Sequence, residues 1–162
     1  MKLTISNRRK RQAGFTLVEI IVSFTILMTL SAMAVPLARH RVRRDKEREL
    51  RYALKEMRMA IDKHKDMADR GELGQVKPDT EGYPETLDIL VEGVKMPQGD
   101  KKMKFLRRIP RDPFTRNTEW GTRSIQDDPK SPGGGAAGGK HVFDVYTKSN
   151  DKAPDGTAYA EW

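Results

Sequence analysis

Apolar and polar residues are distributed very unevenly along this chain. Residues 20–38 form a run of 19 positions without a charge; as a helix they would span about 28 Å at ~1.5 Å per residue, close to one hydrocarbon core. Beyond it the pattern changes to a stripe. Leu50, Ala53, Leu54, Met57, Ala60, Ile61, Met67 and Ala68 recur at intervals of three and four, the period of one helix face. Gly71 offers a C-terminal stop, so the two patterns together predict one helix from about Phe15 to Arg70. His64 falls on the same stripe and is expected to be packed, and the methionines read as core.

Residues 72–82 are rich in glycine, proline and charge and read as a loop. "YPETLDILVEGV" predicts a short helix with Leu87, Leu90 and Val91 turned inward. Pro110 and Pro113 bracket Asp112 and predict a turn before a strand beginning near Asn117. In "HVFDVYTK", Val142, Asp144 and Tyr146 alternate with Phe143, Val145 and Thr147, which predicts a strand with one buried face. "DDPKSPGGGAAGGK" between the two strands reads as a long flexible loop, and no repeat or nucleotide fingerprint accompanies its glycines.

The 162 residues suit one modest domain and an accessory segment. Much of the 36% apolar content lies in the N-terminal run, so what remains supports only a small core. With no cysteine, disulfides, thiolate metal sites and cysteine nucleophiles are excluded, and a head of this size needs another staple. The net charge of +8 is also uneven: five basic residues precede Gly14, residues 39–70 carry 12 basic against 7 acidic, and residues 71–162 carry 14 against 15. Positive charge therefore flanks the apolar run while the C-terminal part is nearly neutral. That arrangement suits membrane topology and anionic headgroups, which Arg39, Arg41, Arg43 and Arg44 would meet, better than a DNA-reading face.

The stretch "RKRQAGFTLVEIIVSF" places a glycine and an acid just ahead of the apolar run. A cleaved secretory signal shares the basic start, and Ala32-Met33-Ala34 offers a weak small-x-small match, but its apolar region would be shorter. A cut ahead of the run instead leaves the hydrophobic helix on the mature protein. Gly14 has no side chain and lets a protease approach its carbonyl closely; a simple turn glycine is the alternative. A carboxylate in a bilayer costs ~2.5–3.5 kcal/mol at midspan and less near the end, so Glu19 calls for a partner. A dipole-favourable acid at a helix N-terminus is its other reading. Ser23, Thr25, Thr29 and Ser31, with several alanines, permit close helix contacts, and Pro36 removes one backbone bond and loosens the helix locally.

"GFTLVEIIVSF" resembles the class III signal of type IV pilins and type II secretion pseudopilins. The resemblance implies a leader over residues 1–14, cleavage between Gly14 and Phe15 by a prepilin peptidase, and N-methylation of Phe15. Glu19 then becomes the fifth mature residue, able to receive the free amine of a neighbouring helix in a low-dielectric bundle. Pro36 matches the proline late in the family's apolar helix. The implied fold is α+β, a long N-terminal transmembrane and amphipathic helix packed on a small antiparallel sheet, as in type IV pilins. Its domains are the leader 1–14, a membrane and polymerisation helix 15–38, an amphipathic continuation 39–70, and a periplasmic head 71–162.

The head resembles the major pseudopilins of type II secretion in particular, through Tyr83-Pro84-Glu85-Thr86, Pro110-Arg111-Asp112-Pro113, Asp144-Val145-Tyr146 and the final "KSNDKAPDGTAYAEW". In that family the last loop wraps calcium, which implies Asp151, Asp155 and Glu161 as ligands. The chain departs from the family's paired acids by carrying Ala160-Glu161 ahead of Trp162, and a solvated turn with Trp162 packed on the sheet is the alternative.

The function so implied is that of a structural subunit of an inner-membrane, single-pass type. It polymerises with other copies and with minor pseudopilins on the secretion platform into a periplasmic pseudopilus that pushes folded proteins outward. A type IV pilin for adhesion, motility or DNA uptake shares the signal and the helix. An enzyme is not expected: His40, His64 and His141 are scattered and no nucleophile, metal or phosphate motif accompanies them. A nucleic-acid partner is not expected either, since the C-terminal half has no net positive charge.

Overall fold

The computed structural model describes residues 14–162 apart from 75–76, 98, 100 and 129–139, and describes no side chain at 35–37. The expected leader before Gly14 and nearly all of the glycine-rich loop lie outside the described residues. The chain divides into two compact units, Met1–Arg43 and Arg44–Trp162. Helix α1, Leu17–Asp69, begins in the first and ends in the second, and its helical run continues through Pro36.

Within the second unit α1 supplies a large share of the core. Leu50, Ala53, Leu54, Met57, Ala60, Ile61 and Met67 are all buried, as their spacing requires, while Ala68 is half-buried. Leu87, Leu90, Leu106, Trp120, Val142, Val145, Ala153 and Tyr159 cover the stripe. Each fully buried Leu, Ile or Met is worth about 1.5–3 kcal/mol, so this face, and not helix propensity, holds the head on its helix. The helix ends where the sequence supplies its stop. Gly71 takes φ 70°, its amide bonds Ala68 O at 3.0 Å and the Glu72 amide bonds Met67 O at 3.0 Å, which together satisfy the last carbonyls of the helix.

The loop after α1 contains one 3-10 turn, Pro78–Thr80. Helix α2, Leu87–Glu92, buries Leu87 and Leu90 and leaves Val91 half-buried. Two small antiparallel sheets follow. Strand β1, Val94–Lys95, pairs with β2, Lys102–Met103, and β3, Gly121–Arg123, pairs with β4, Asp144–Tyr146, in the register Gly121 to Tyr146 and Arg123 to Asp144. A final 3-10 turn covers Tyr159–Glu161. The architecture is α+β, with a long N-terminal helix and small antiparallel sheets, as in the pilin-like fold.

Three expectations require correction. The first long-range strand begins at Gly121, not near Asn117, because residues 112–117 are closed into a turn by the Asp112 amide on Asn117 O at 2.9 Å and the Arg116 amide on Asp112 O at 2.9 Å. The strand read from "HVFDVYTK" is only Asp144–Tyr146. It also lacks a single buried face, because Val145 and Tyr146 are both buried. Val145 enters the core, whereas Tyr146 lies over Gly121, where a Cβ would overlap its ring, with the Arg123 guanidinium 4.2 Å from the ring centroid on the same side chain.

His64 is packed, as its place on the stripe requires. Its Nδ1 lies 3.0 Å from Gly82 O, which makes Nδ1 the donor, and its ring sits 5.2 Å from that of Phe105. Burial pushes its pKa below the ordinary 6.5, with the Gly82 carbonyl opposing. The unfolded chain therefore binds the proton more readily. Stability should be full above about pH 6.5 and fall as the pH drops below that value. Thermal melts between pH 7.5 and 5.5 should show Tm decreasing by ~2–5 °C, and His64→Gln should flatten that slope. An unchanged slope in the variant would assign the pH dependence to other groups.

Candidate assembly helix and head-closing loop

Gly14 is exposed, with open space where a Cβ would stand, and Phe15 beside it is 78% exposed. Nothing in the described chain shields the peptide bond between them. Two residues on, Thr16 sets the helix start: its Oγ1 accepts the Glu19 amide at 3.3 Å. Thr16 and Glu19 thus stand at the N-cap and N3 positions of a T-x-x-E sequence, which fixes where α1 begins and puts the carboxylate in its first turn. The Glu19 side chain is exposed.

From Leu17 to Leu30 the large apolar side chains are all more than half exposed among the described residues. Helix α1, to which this stretch belongs, is long and apolar enough to cross a membrane. Two of its hydroxyls bond within the helix: Thr25 donates to Ile21 O at 2.7 Å and Thr29 to Thr25 O at 2.8 Å. A hydroxyl bonded to the preceding turn places no unpaired polar group in lipid and leaves a small, smooth surface for another helix.

At the other end of the chain the three acids expected to hold calcium are dispersed. Asp151, Asp155 and Glu161 are all exposed, and among the described residues no group of three histidine or acidic side chains is arranged to hold a metal. Asp155 Oδ1 accepts both the Thr157 hydroxyl at 2.6 Å and its amide at 3.0 Å, and these bonds hold the Asp155 carboxyl below the ordinary carboxylate value. The residues present do not fit a three-carboxylate calcium cage. Trp162 is half-buried and stands edge-on to Tyr159 at 4.9 Å, with the Arg51 guanidinium 4.2 Å from its ring centroid.

This end of the head is organised by residues that, Arg58 apart, no local sequence pattern marks. Arg58 donates Nε to Asp144 Oδ1 at 2.6 Å and Nη2 to Val145 O at 3.3 Å and Trp162 O at 2.7 Å. Arg123, buried, donates Nη2 to Ala160 O at 2.9 Å and lies 3.7 Å from Asp144 Oδ2. Tyr159 is fully buried, and its hydroxyl donates to Glu47 Oε1 at 2.7 Å. One signal was available: Arg58 lies four residues after Leu54 and three before Ile61, a cation on an otherwise apolar face.

The sequence of the assembly helix has known counterparts. Residues 9–35 match the prokaryotic N-terminal methylation motif, which spans Gly14, Phe15, Glu19 and most of the apolar run. Over 156 residues the chain is 29% identical to type II secretion system core protein G of Pseudomonas aeruginosa, covering 93% of this chain and 92% of that protein. The chain is similar to type II secretion core protein G over nearly its whole length. The similarity runs from the motif through the head, so helix and head are matched together and not the signal alone. No solved structure matches the chain.

Proposed function

We propose that this chain is a structural subunit of the type II secretion pseudopilus. It is made with the leader 1–14, anchored by α1 in the inner membrane with its head in the periplasm, and cut after Gly14 by a prepilin peptidase. Phe15 then carries the methylated N-terminal amine. Subunits join through their apolar helices, Glu19 of one receiving the amine of the next. Growth of the polymer on the inner-membrane platform, with minor pseudopilins, pushes folded proteins through the outer membrane. The role is mechanical and not catalytic.

One observation carries this reading: the methylation motif lies at the head of an apolar helix whose large side chains are exposed among the described residues, in a chain whose similarity to core protein G extends over 93% of its length. The motif alone would suit an adhesion or motility pilin equally well. Similarity through the head favours the secretion subunit. An uncovered apolar surface of this extent is stable only in lipid or against other helices, and the small, internally bonded Thr25 and Thr29 suit both surroundings.

Mass spectrometry of the chain recovered from a host with a prepilin peptidase tests the processing step. The mature protein should begin at Phe15 and be heavier by one methyl group. In a host without the peptidase, residues 1–14 should remain attached. Removal of the apolar helix in the peptidase-bearing host would instead point to a secretory signal.

A further inference from the structure

Five main-chain oxygens of the last loop accept hydrogen bonds from protein donors. The Asp151 carbonyl accepts the Tyr159 amide at 3.2 Å, the Ala153 carbonyl the Gly156 amide at 2.9 Å and the Thr157 carbonyl the Ala153 amide at 2.7 Å. The Ala160 carbonyl accepts Arg123 at 2.9 Å and the main-chain oxygen of Trp162 accepts Arg58 at 2.7 Å. A calcium ion takes six to eight oxygens, backbone oxygens prominent among them. Here two main-chain oxygens already face guanidinium groups, whose positive charge repels an incoming cation and whose hydrogen bonds it would have to displace.

We propose that the C-terminal loop is closed by a protein staple, Arg58 and Arg123 gripping its carbonyls and Tyr159 plugging the core, in place of a divalent cation. Asp144 offsets part of the charge of the grip. It lies between the two arginines, 2.6 Å from Arg58 Nε and 3.7 Å from Arg123 Nη1, so two buried or half-buried cations share its carboxylate and complete their bonding with main-chain oxygens of the loop. The plug is equally specific. The Tyr159 ring lies 4.2 Å from Phe114 and 4.9 Å from Trp162, and its hydroxyl ends on Glu47 of α1, which ties the loop to the helix through side chains of this chain alone. The staple therefore does for a cysteine-free head what a disulfide or a metal does for other small domains.

The staple does not depend on the secretion role, and its test is separate. Full-length protein in detergent is melted by near-ultraviolet circular dichroism after EGTA dialysis and again in millimolar calcium chloride. The two Tm values should agree within about 2 °C, since a ligand with no site adds no stability. Terbium should show no luminescence sensitised by Trp162. Arg58→Met should lower Tm by roughly 5–10 °C with or without calcium, and Arg58→Lys, which keeps the charge but loses the fork, should fall between. A calcium-dependent rise in Tm of the parent protein, or sensitised terbium emission abolished by Asp151→Asn, would overturn the staple. So would an Arg58→Lys protein as stable as the parent. If Arg58→Met fails to fold, the lysine variant and the parent's response to calcium still decide the matter.

Discussion

Glu19→Ala should leave the chain cleaved and inserted in the membrane yet reduce its recovery as filaments at least tenfold. Insertion follows from hydrophobicity, and removing a carboxylate makes residues 17–30 easier to bury. The proposed processing site, Gly14 and Phe15, stands exposed ahead of the helix. Assembly is different. An amine and a carboxylate drawn into a bundle each lose hydration, and both are tolerated only if they meet; a chain that offers the amine alone leaves it buried without a partner. Removing one member of a buried pair typically costs about 3–5 kcal/mol per contact, which exceeds the factor of ten asked for here. Membrane fractionation, N-terminal mass and filament yield from the same cells separate the steps. Loss of membrane insertion would show that Glu19 acts earlier, and unchanged filament yield would remove it from assembly. Glu19→Gln should behave like alanine, because Thr16 caps the helix start through the Glu19 backbone and not its carboxylate.

Asp112→Ala should destabilise the head by about 3–4 kcal/mol and lower its Tm by roughly 10–20 °C. Asp112 is fully buried in the turn between Pro110 and Pro113. Its Oδ1 accepts the amides of Phe114 at 2.8 Å and Thr115 at 3.4 Å, and its Oδ2 accepts the Thr147 hydroxyl. The connection continues, since Thr147 Oγ1 accepts the Ser149 amide at 3.1 Å and Ser149 Oγ the Asp151 amide at 3.2 Å. Alanine would strand two amides and a hydroxyl away from water, where each costs about 1–3 kcal/mol, only partly offset by collapse of the site. Asp112→Asn keeps the shape and one acceptor and should lose about half as much. Denaturant or thermal melts of full-length protein check both, and a neutral alanine variant would show that water readily replaces the carboxylate.

The parts of the fold that the sequence made legible are those fixed by local pattern. The α1 stripe, its stop at Gly71 and the inward side of α2 depend on period and on one glycine with positive φ, and all are present. The Asp144-Val145-Tyr146 motif coincides with β4. Hairpin β1–β2 was not foreseen because each strand is two residues long and includes a lysine, which gives no alternation to read. The extent of the β4 strand was overestimated because alternation assumes one wet face, whereas Tyr146 is covered by Arg123 and β3. At the helix start, the methylation motif is linear and can be read directly from the sequence. The closing loop was not. Arg58, Arg123, Asp144 and Tyr159 are far apart in sequence and meet only in the fold, and resemblance alone pointed instead to acids that do not converge.

The pseudopilus role is tested most directly by electron microscopy of filaments sheared from cells that overproduce the chain together with a type II secretion platform, followed by mass spectrometry of the filament subunit. Filaments built from a subunit that begins with methylated Phe15, and that disappear when the secretion motor is removed, are the expected result. Processed protein that stays dispersed in the membrane, with no filament under any level of expression, would contradict it.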